Sequence, residues 1–188
     1  MKNLLKKIWW FIWHDNSIAS WIVNIILAFL IVKFVIYPGL GLLLGTSYPV
    51  VAVVSNSMHH NTDFENWWAE NRNFYEKYGF TKEDFKNARF SNGFNKGDII
   101  LLVGTKPKDI KEGDVIVYHS RYLANPIIHR VIEKKEIENK TMFRMKGDNN
   151  PVPDAEIVTP SQIVGKAVVR VPAIGWIKIA FLKILGFG

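Results

Sequence analysis

The chain has no cysteine. Disulfides, thiolate zinc sites and a cysteine nucleophile are therefore excluded. It also lacks a basic face with interleaved aromatics. The net charge of +7 comes from 24 Lys and Arg against 17 Asp and Glu, but the basic residues are scattered, which argues against a nucleic-acid surface. Low-complexity tracts are missing too, and with 48% hydrophobic and 13% aromatic residues the chain is no disordered tail. What is present is 188 residues, enough for one domain with a real core, and an apolar excess gathered at the two ends.

Ile18 to Ile36 is almost wholly apolar, broken by Ser20, Asn24 and Lys33. As a helix it measures about 28 Å, close to the thickness of a bilayer core, and Lys33 near its end can snorkel to the headgroups. Lys2, Lys6 and Lys7 precede it, with Trp9, Trp10 and Trp13 as interface aromatics. Positive residues before a span predict a cytoplasmic N-terminus and an external C-terminal domain, and residues 3–14 suit a short interfacial helix. A cleavable signal peptide has a shorter apolar region followed by a small-residue site. Here the apolar run continues through Pro38-Gly39 into Leu40–Leu44, so a retained anchor over residues 1–44 is the better reading. Ile174–Phe187 is a second apolar stretch, too short for a clear span. Residues 173–188 read as a membrane-associated segment, an interfacial helix with Trp176 as its belt residue, or alternatively as a core helix.

Between these ends the chain reads as mainly β, a β-rich domain over residues 45–172. Strands are expected at Tyr48–Val54, Ile99–Val103, Val115–Tyr118, Ile127–Ile132, Met142–Lys146 and Ile163–Val171, each rich in β-branched residues and bounded by turn formers. Lys96-Gly97-Asp98-Ile99-Ile100 and Glu112-Gly113-Asp114-Val115-Ile116 begin two strands alike, Gly-Asp supplying the turn. Residues 61–90 interrupt the pattern. Thr62-Asp63-Phe64-Glu65 is a capping-box signature, and Phe64, Trp67, Trp68, Asn71, Tyr75 and Tyr78 follow at helical spacing. Gly79 can end that helix, and Thr81–Asp84 can cap a second. The aromatics of this insert either pack on the sheet or cover a cleft or the membrane surface.

Few residues can do chemistry. Ser55-Asn56-Ser57-Met58 leaves the end of a hydrophobic strand, where a serine is either a turn former or an exposed nucleophile. His129 is a lone histidine in the run Pro126–Ile132, and histidine is the side chain best suited to proton transfer near neutral pH. Lys146-Gly147-Asp148-Asn149-Asn150 and Asp154 form a turn-rich acidic segment. Its aspartates either bond their own backbone or orient a histidine ring.

The order serine, histidine, aspartate in an anchored β domain resembles the type I signal peptidases of the archaeal and endoplasmic-reticulum kind. Ser55–Met58 resembles that family's Ser-x-Ser-Met box, Lys111–Val117 its Gly-Asp-Val/Ile strand box, Pro126–Val131 its histidine box, and Lys146–Asn150 with Asp154 its acidic box. Bacterial members use a lysine as general base, whereas the archaeal and reticulum members have histidine where His129 stands. The resemblance implies a signal-peptidase-like β domain in which Ser57 is the nucleophile and His129 the general base. Asp154 is then the third member, and Asp148 an accessory acid shaping the loop. The Ser57 N–H and the Ser55 side chain would form the oxyanion hole. It implies no cofactor and no metal. Its substrates would be signal-peptide-bearing preproteins, with membrane lipid and the protein-export channel as partners and no nucleic acid. The location would be the cell membrane, or the reticulum membrane with a lumenal catalytic domain. The sequence departs from the family at Asn56, where glycine or an acidic residue is common, and at His59-His60, where Glu-Pro is frequent. The two histidines are expected to bind solvent or line the cleft. A catalytically inactive, membrane-anchored β module that binds extended peptides is the alternative on the same architecture.

Overall fold

A computed structural model describes residues 2–137, 140–177, 179 and 180 and divides the chain into two units, 1–43 and 44–188.

In the first unit, α1 (Lys2–Trp13) turns through His14–Ser17 into α2 (Ile18–Ile31). Ser17 caps α2, its side chain accepting from the Ser20 N–H. The last carbonyls of a helix have no partner within it, and α2 supplies some for α1: Ser20 Oγ donates to Phe11 O at 2.6 Å and Asn24 Nδ2 to Ile12 O at 2.9 Å. Two polar residues that interrupt the apolar run are thus the ones that close the helical hairpin. The helix does not stop at Ile36. It widens to a π turn over Val32–Ile36 and runs on as α3 (Tyr37–Leu44), giving 27 helical residues from Ile18 that are long and apolar enough to cross a membrane. The widening has a local cause. Pro38 has no N–H and its ring crowds the carbonyl four residues back, and the extra residue in the preceding turn relieves that clash. Lys33 lies inside this helix with its ammonium over the rings of Phe29 and Phe34.

The second unit is built on a seven-stranded sheet in the order β1-β2-β7-β3-β4-β5-β6. The strands are β1 (Val50–Ala52), β2 (Ile99–Val103), β3 (Val115–Tyr118), β4 (Ile127–Ile137), β5 (Lys140–Lys146), β6 (Ile157–Val158) and β7 (Ile163–Val171), and every neighbouring pair is antiparallel. β1 is shorter than the β-branched run suggests and β4 five residues longer. β6 has only two residues and no pattern that would announce it. The two Gly-Asp turns are the same device used twice. Gly97 and Gly113 take φ of +92° and +88°, the region open to glycine. Asp98 and Asp114 accept the N–H three residues back, from Asn95 and Lys111. Both carboxylates then meet β7, Asp98 at Arg170 and Asp114 at Lys166, each 2.7 Å away.

Three apolar clusters fill the unit. Val53, Met58, Phe94, Ile100, Leu102, Val115, Val117 and Ala167 pack around β2, β3 and β7. Ile110, Ile116, Tyr118, Val131, Phe143, Met145 and Val158 pack around β3 to β6. The third cluster belongs to the insert. Its helices are α4 (Phe64–Lys77) and α5 (Lys82–Asn87). Asp63 rather than Thr62 caps α4, Gly79 follows its end with φ +83°, and a Thr81–Asp84 capping box starts α5. Trp67, Trp68, Tyr75, Phe80 and Phe85 are buried together with Ile132. Ile132 is unpaired in the β4–β5 register, between Val131↔Met145 and Glu133↔Arg144. Such a bulge re-aims one side chain, here into the aromatics. Of the two readings of the insert's aromatics, packing on the sheet holds and covering a cleft or the membrane surface does not: Trp67, Trp68 and Tyr75 are core.

The described part of the C-terminal segment includes helical residues at Trp176, Ile177, Ile179 and Ala180. The Trp176 ring lies so close to Gly97 that a Cβ there would meet Nε1. The remainder of the apolar stretch, Lys178 and residues 181–188, lies outside the described residues.

Candidate active site

Ser57 sits in the turn that leaves β1. Val53 still pairs with the β2 side, donating to Asp98 O and accepting from Gly97, and the chain then turns through Ser55–Met58. Two anchors hold the turn. The Met58 side chain is buried in the β2, β3 and β7 cluster, with its carbonyl accepting from Phe94. From the other side, Asn149 donates its N–H to Ser57 O at 2.8 Å and its Nδ2 to Asn56 O at 3.1 Å. The acidic box thus grips the serine box through the backbone.

His129 and Asp154 are brought together. His129 lies on β4 opposite Ile116 of β3. Its Nδ1 is 2.7 Å from Asp154 Oδ2, and the same oxygen accepts from Tyr118 OH at 2.7 Å. Asp154 is itself fixed by its N–H to Met145 O. Burial pushes the Asp154 carboxyl up, but the His129 ring and the Tyr118 hydroxyl outweigh it and hold the group below its ordinary value. An ionised Asp154 assigns the proton of a neutral imidazole to Nδ1 and leaves Nε2 as the acceptor. Tyr118, whose own ionisation burial pushes far up, stays a neutral donor; its place in a β-branched strand gave no sign of this role.

Gly147 joins the two halves. A Cβ at this position would stand 2.7 Å from Ser57 O and 2.8 Å from His129 Nε2, so only glycine allows the serine turn and the imidazole tip to close on the same spot. Ser57 Oγ itself is 3.1 Å from Ser55 Oγ. Among the described residues no hydrogen bond joins it to His129. The expected pair is placed at one locus without its direct bond, and rotation about χ1 moves a serine hydroxyl between staggered positions.

The Asp148 side chain ties the acidic box to β4 and to the insert. It is buried and takes a two-pronged bond from Arg130, Nε to Oδ1 at 2.9 Å and Nη2 to Oδ2 at 2.7 Å. Tyr75 OH donates to Oδ1, and His60 Nε2 lies 3.0 Å from Oδ2. Arg130 places its remaining N–H groups on the carbonyls of Arg89, Gly113 and Phe90, with its guanidinium 4.4 Å over the Phe85 ring. Burial alone would raise the Asp148 carboxyl, yet Arg130 holds it well below the usual carboxylate range. His60 is buried and stacked on Trp67 at 3.8 Å, which corrects the expectation that it meets solvent or lines the cleft. His59 bonds Asn95 instead. Among the described residues no group of three or more His, Asp and Glu side chains could hold a metal.

No protein-family model matches the chain. Curated relatives do. The signal peptidase complex catalytic subunit of Scheffersomyces stipitis is 26% identical over 154 residues, 78% of this chain and 73% of the relative. The subunit of the same name from Colletotrichum graminicola is 25% identical over 191 residues, 92% of each. An uncharacterized protein of Methanocaldococcus jannaschii is 45% identical over 60 residues, 29% of this chain and 30% of that protein. At 25–26% identity over 78% and 92% of this chain, the two named catalytic subunits support a type I signal peptidase of the endoplasmic-reticulum and archaeal kind.

Proposed function

We propose that this protein is a membrane-bound serine endopeptidase that removes N-terminal signal peptides from preproteins, with Ser57 as nucleophile and His129 as general base. The observation that carries the mechanism is the convergence at Gly147: the Asp154-held imidazole presents Nε2 where the Ser57 turn is pinned. A serine hydroxyl is a weak nucleophile until a base takes its proton. Nε2 accepts that proton as Oγ attacks the scissile carbonyl, then returns it to the departing amine. Water hydrolyses the acyl-enzyme by the same relay. Asp154 keeps the ring in the right tautomer and stabilises the imidazolium. The Ser57 N–H and the Ser55 hydroxyl are the donors for the oxyanion.

The lysines of α1 ahead of the apolar helix favour a cytoplasmic N-terminus, with residues 45–172 as the catalytic domain on the outer, or lumenal, face. The relatives are named as subunits of a complex, which supports further subunits here, and membrane lipid and the export channel fit an enzyme that acts on emerging preproteins.

Purified Ser57→Ala and His129→Ala should each lose several orders of magnitude in preprotein cleavage while keeping the wild-type melting temperature. Asp154→Asn should lie between those variants and wild type or match them, since an amide favours the wrong tautomer. Undiminished cleavage in Ser57→Ala would end the serine mechanism. Peptide binding without cleavage by the wild type would favour the inactive β module.

A further inference from the structure

Burying an ammonium without a contacting counter-ion is strongly unfavourable unless hydrogen bonds replace its water. Lys146 is such a group. It is 1% exposed, and no carboxylate among the described residues lies within ion-pair distance of it. Its Nζ instead donates to two carbonyls, Gly147 O at 3.1 Å and Asp148 O at 3.3 Å. The rings of Phe74 and Tyr75 stand 4.9 and 5.3 Å away.

Those two carbonyls belong to the peptide units whose N–H groups hold the serine turn. In a trans peptide the C=O and N–H point in opposite directions, and the chain has no cis bond among its described residues. With their oxygens on Lys146, the Gly147–Asp148 and Asp148–Asn149 peptides present their N–H groups on the other side. There the Asp148 N–H meets Met58 Sδ at 3.4 Å and the Asn149 N–H meets Ser57 O at 2.8 Å. Two peptide planes are clamped between the ammonium and the nucleophile segment. We infer that Lys146 is a positioning residue for the serine–histidine reaction: by fixing the Gly147–Asn149 peptide planes it sets the place of Ser57 relative to His129 Nε2. The inference rests on the serine–histidine reading.

The charge on Lys146 is part of the device. Burial pushes the amine down to about 8 against the attraction of Asp148, with Arg130 of β4 adding to the fall and Asp154 opposing it. The groups facing it hold their charge states through that range. Asp148 and Asp154 lie below their ordinary values, and Arg130 of β4 and Tyr75 of α4 above theirs. The ammonium grips the carbonyls more strongly than the amine does, so turnover should fall as pH rises through about 8.

Lys146→Met in the full-length protein tests this, because methionine fills similar volume with no donor. Assayed on a preprotein, the variant should lose about 10- to 100-fold in kcat at pH 7, the scale of an ångström-level misplacement, with KM unchanged. The alkaline fall should vanish. The melting temperature should change little, since the relieved desolvation of the ammonium offsets the donor lost by two carbonyls, and the Asp148 and Asn149 amides should exchange faster. Wild-type kcat with the alkaline limb intact would overturn the inference. So would an activity loss that merely follows a lowered melting temperature at every pH. Ser57→Ala run in parallel separates the two claims: full activity there sinks the serine–histidine reading, whereas amide exchange reports on the clamp in either case.

Discussion

Arg130 and Asp148 form a charge pair with every donor of the guanidinium used and both side chains fully buried. Removing the carboxylate's charge strands a cation in the interior, so Asp148→Asn should cost about 3–5 kcal/mol of stability, read by denaturant unfolding. Asp154→Asn should cost far less stability and far more turnover, and the contrast separates the two acids by role. The pH dependence follows from the same lowered groups. The folded Asp148 and Asp154 carboxyls titrate below their unfolded values, so the unfolded chain takes up protons first. The stability they contribute is full above about pH 4, the ordinary carboxylate value, and drains away as pH falls toward their folded values. Asp148→Asn should flatten much of that acid limb. Gly147→Ala should keep the fold yet lose most activity, because the added methyl needs the space between Ser57 O and His129 Nε2. The residues proposed to react are legible as boxes in the sequence. The Arg130 partnership is not, since pairing Asp148 with a residue 18 positions earlier depends on the β4–β5 register and not on any local pattern.

The insert shows how far an element's own pattern reaches. Helical spacing of aromatics, a polar cap and a closing glycine were enough to place α4 and α5 to within a residue or two. Which surface the aromatic face meets is not written in the period, because burial against a sheet and burial against lipid ask for the same side chains. Packing decided it: the face surrounds Ile132, Arg130 and Asp148. Trp67→Ala should therefore lower stability by about 3–5 kcal/mol and leave KM for a preprotein unchanged in the fraction that remains folded. Tyr75→Phe should lose about 1.5–3 kcal/mol by removing a bond to a charged group. β6 escaped the sequence for the opposite reason. Two residues carry no period, and they pair only because β5 offers them an edge.

For the whole molecule, the lack of cysteine turns topology into a clean measurement, because any introduced thiol is the only one. Asn3→Cys should resist an impermeant thiol reagent in sealed cells while Asn92→Cys reacts, and the reverse pattern would invert the proposed orientation. The order of strands has a second consequence. β7 is the last strand in sequence, yet it lies between β2 and β3, with Arg170 and Lys166 tying down the two Gly-Asp turns on either side. Ser57, the proposed nucleophile, follows β1 on one flank, and the His129 imidazole rides on β4 on the other. Until residues 163–171 have emerged from the ribosome, the two flanks have no shared strand to register them. A nascent chain therefore carries Ser57 and His129 for some forty residues of synthesis, roughly 2–8 s at ordinary elongation rates, before the strand between their two flanks exists. A chain ended at residue 162 should therefore lack the strand between the two half-sheets and show no preprotein cleavage.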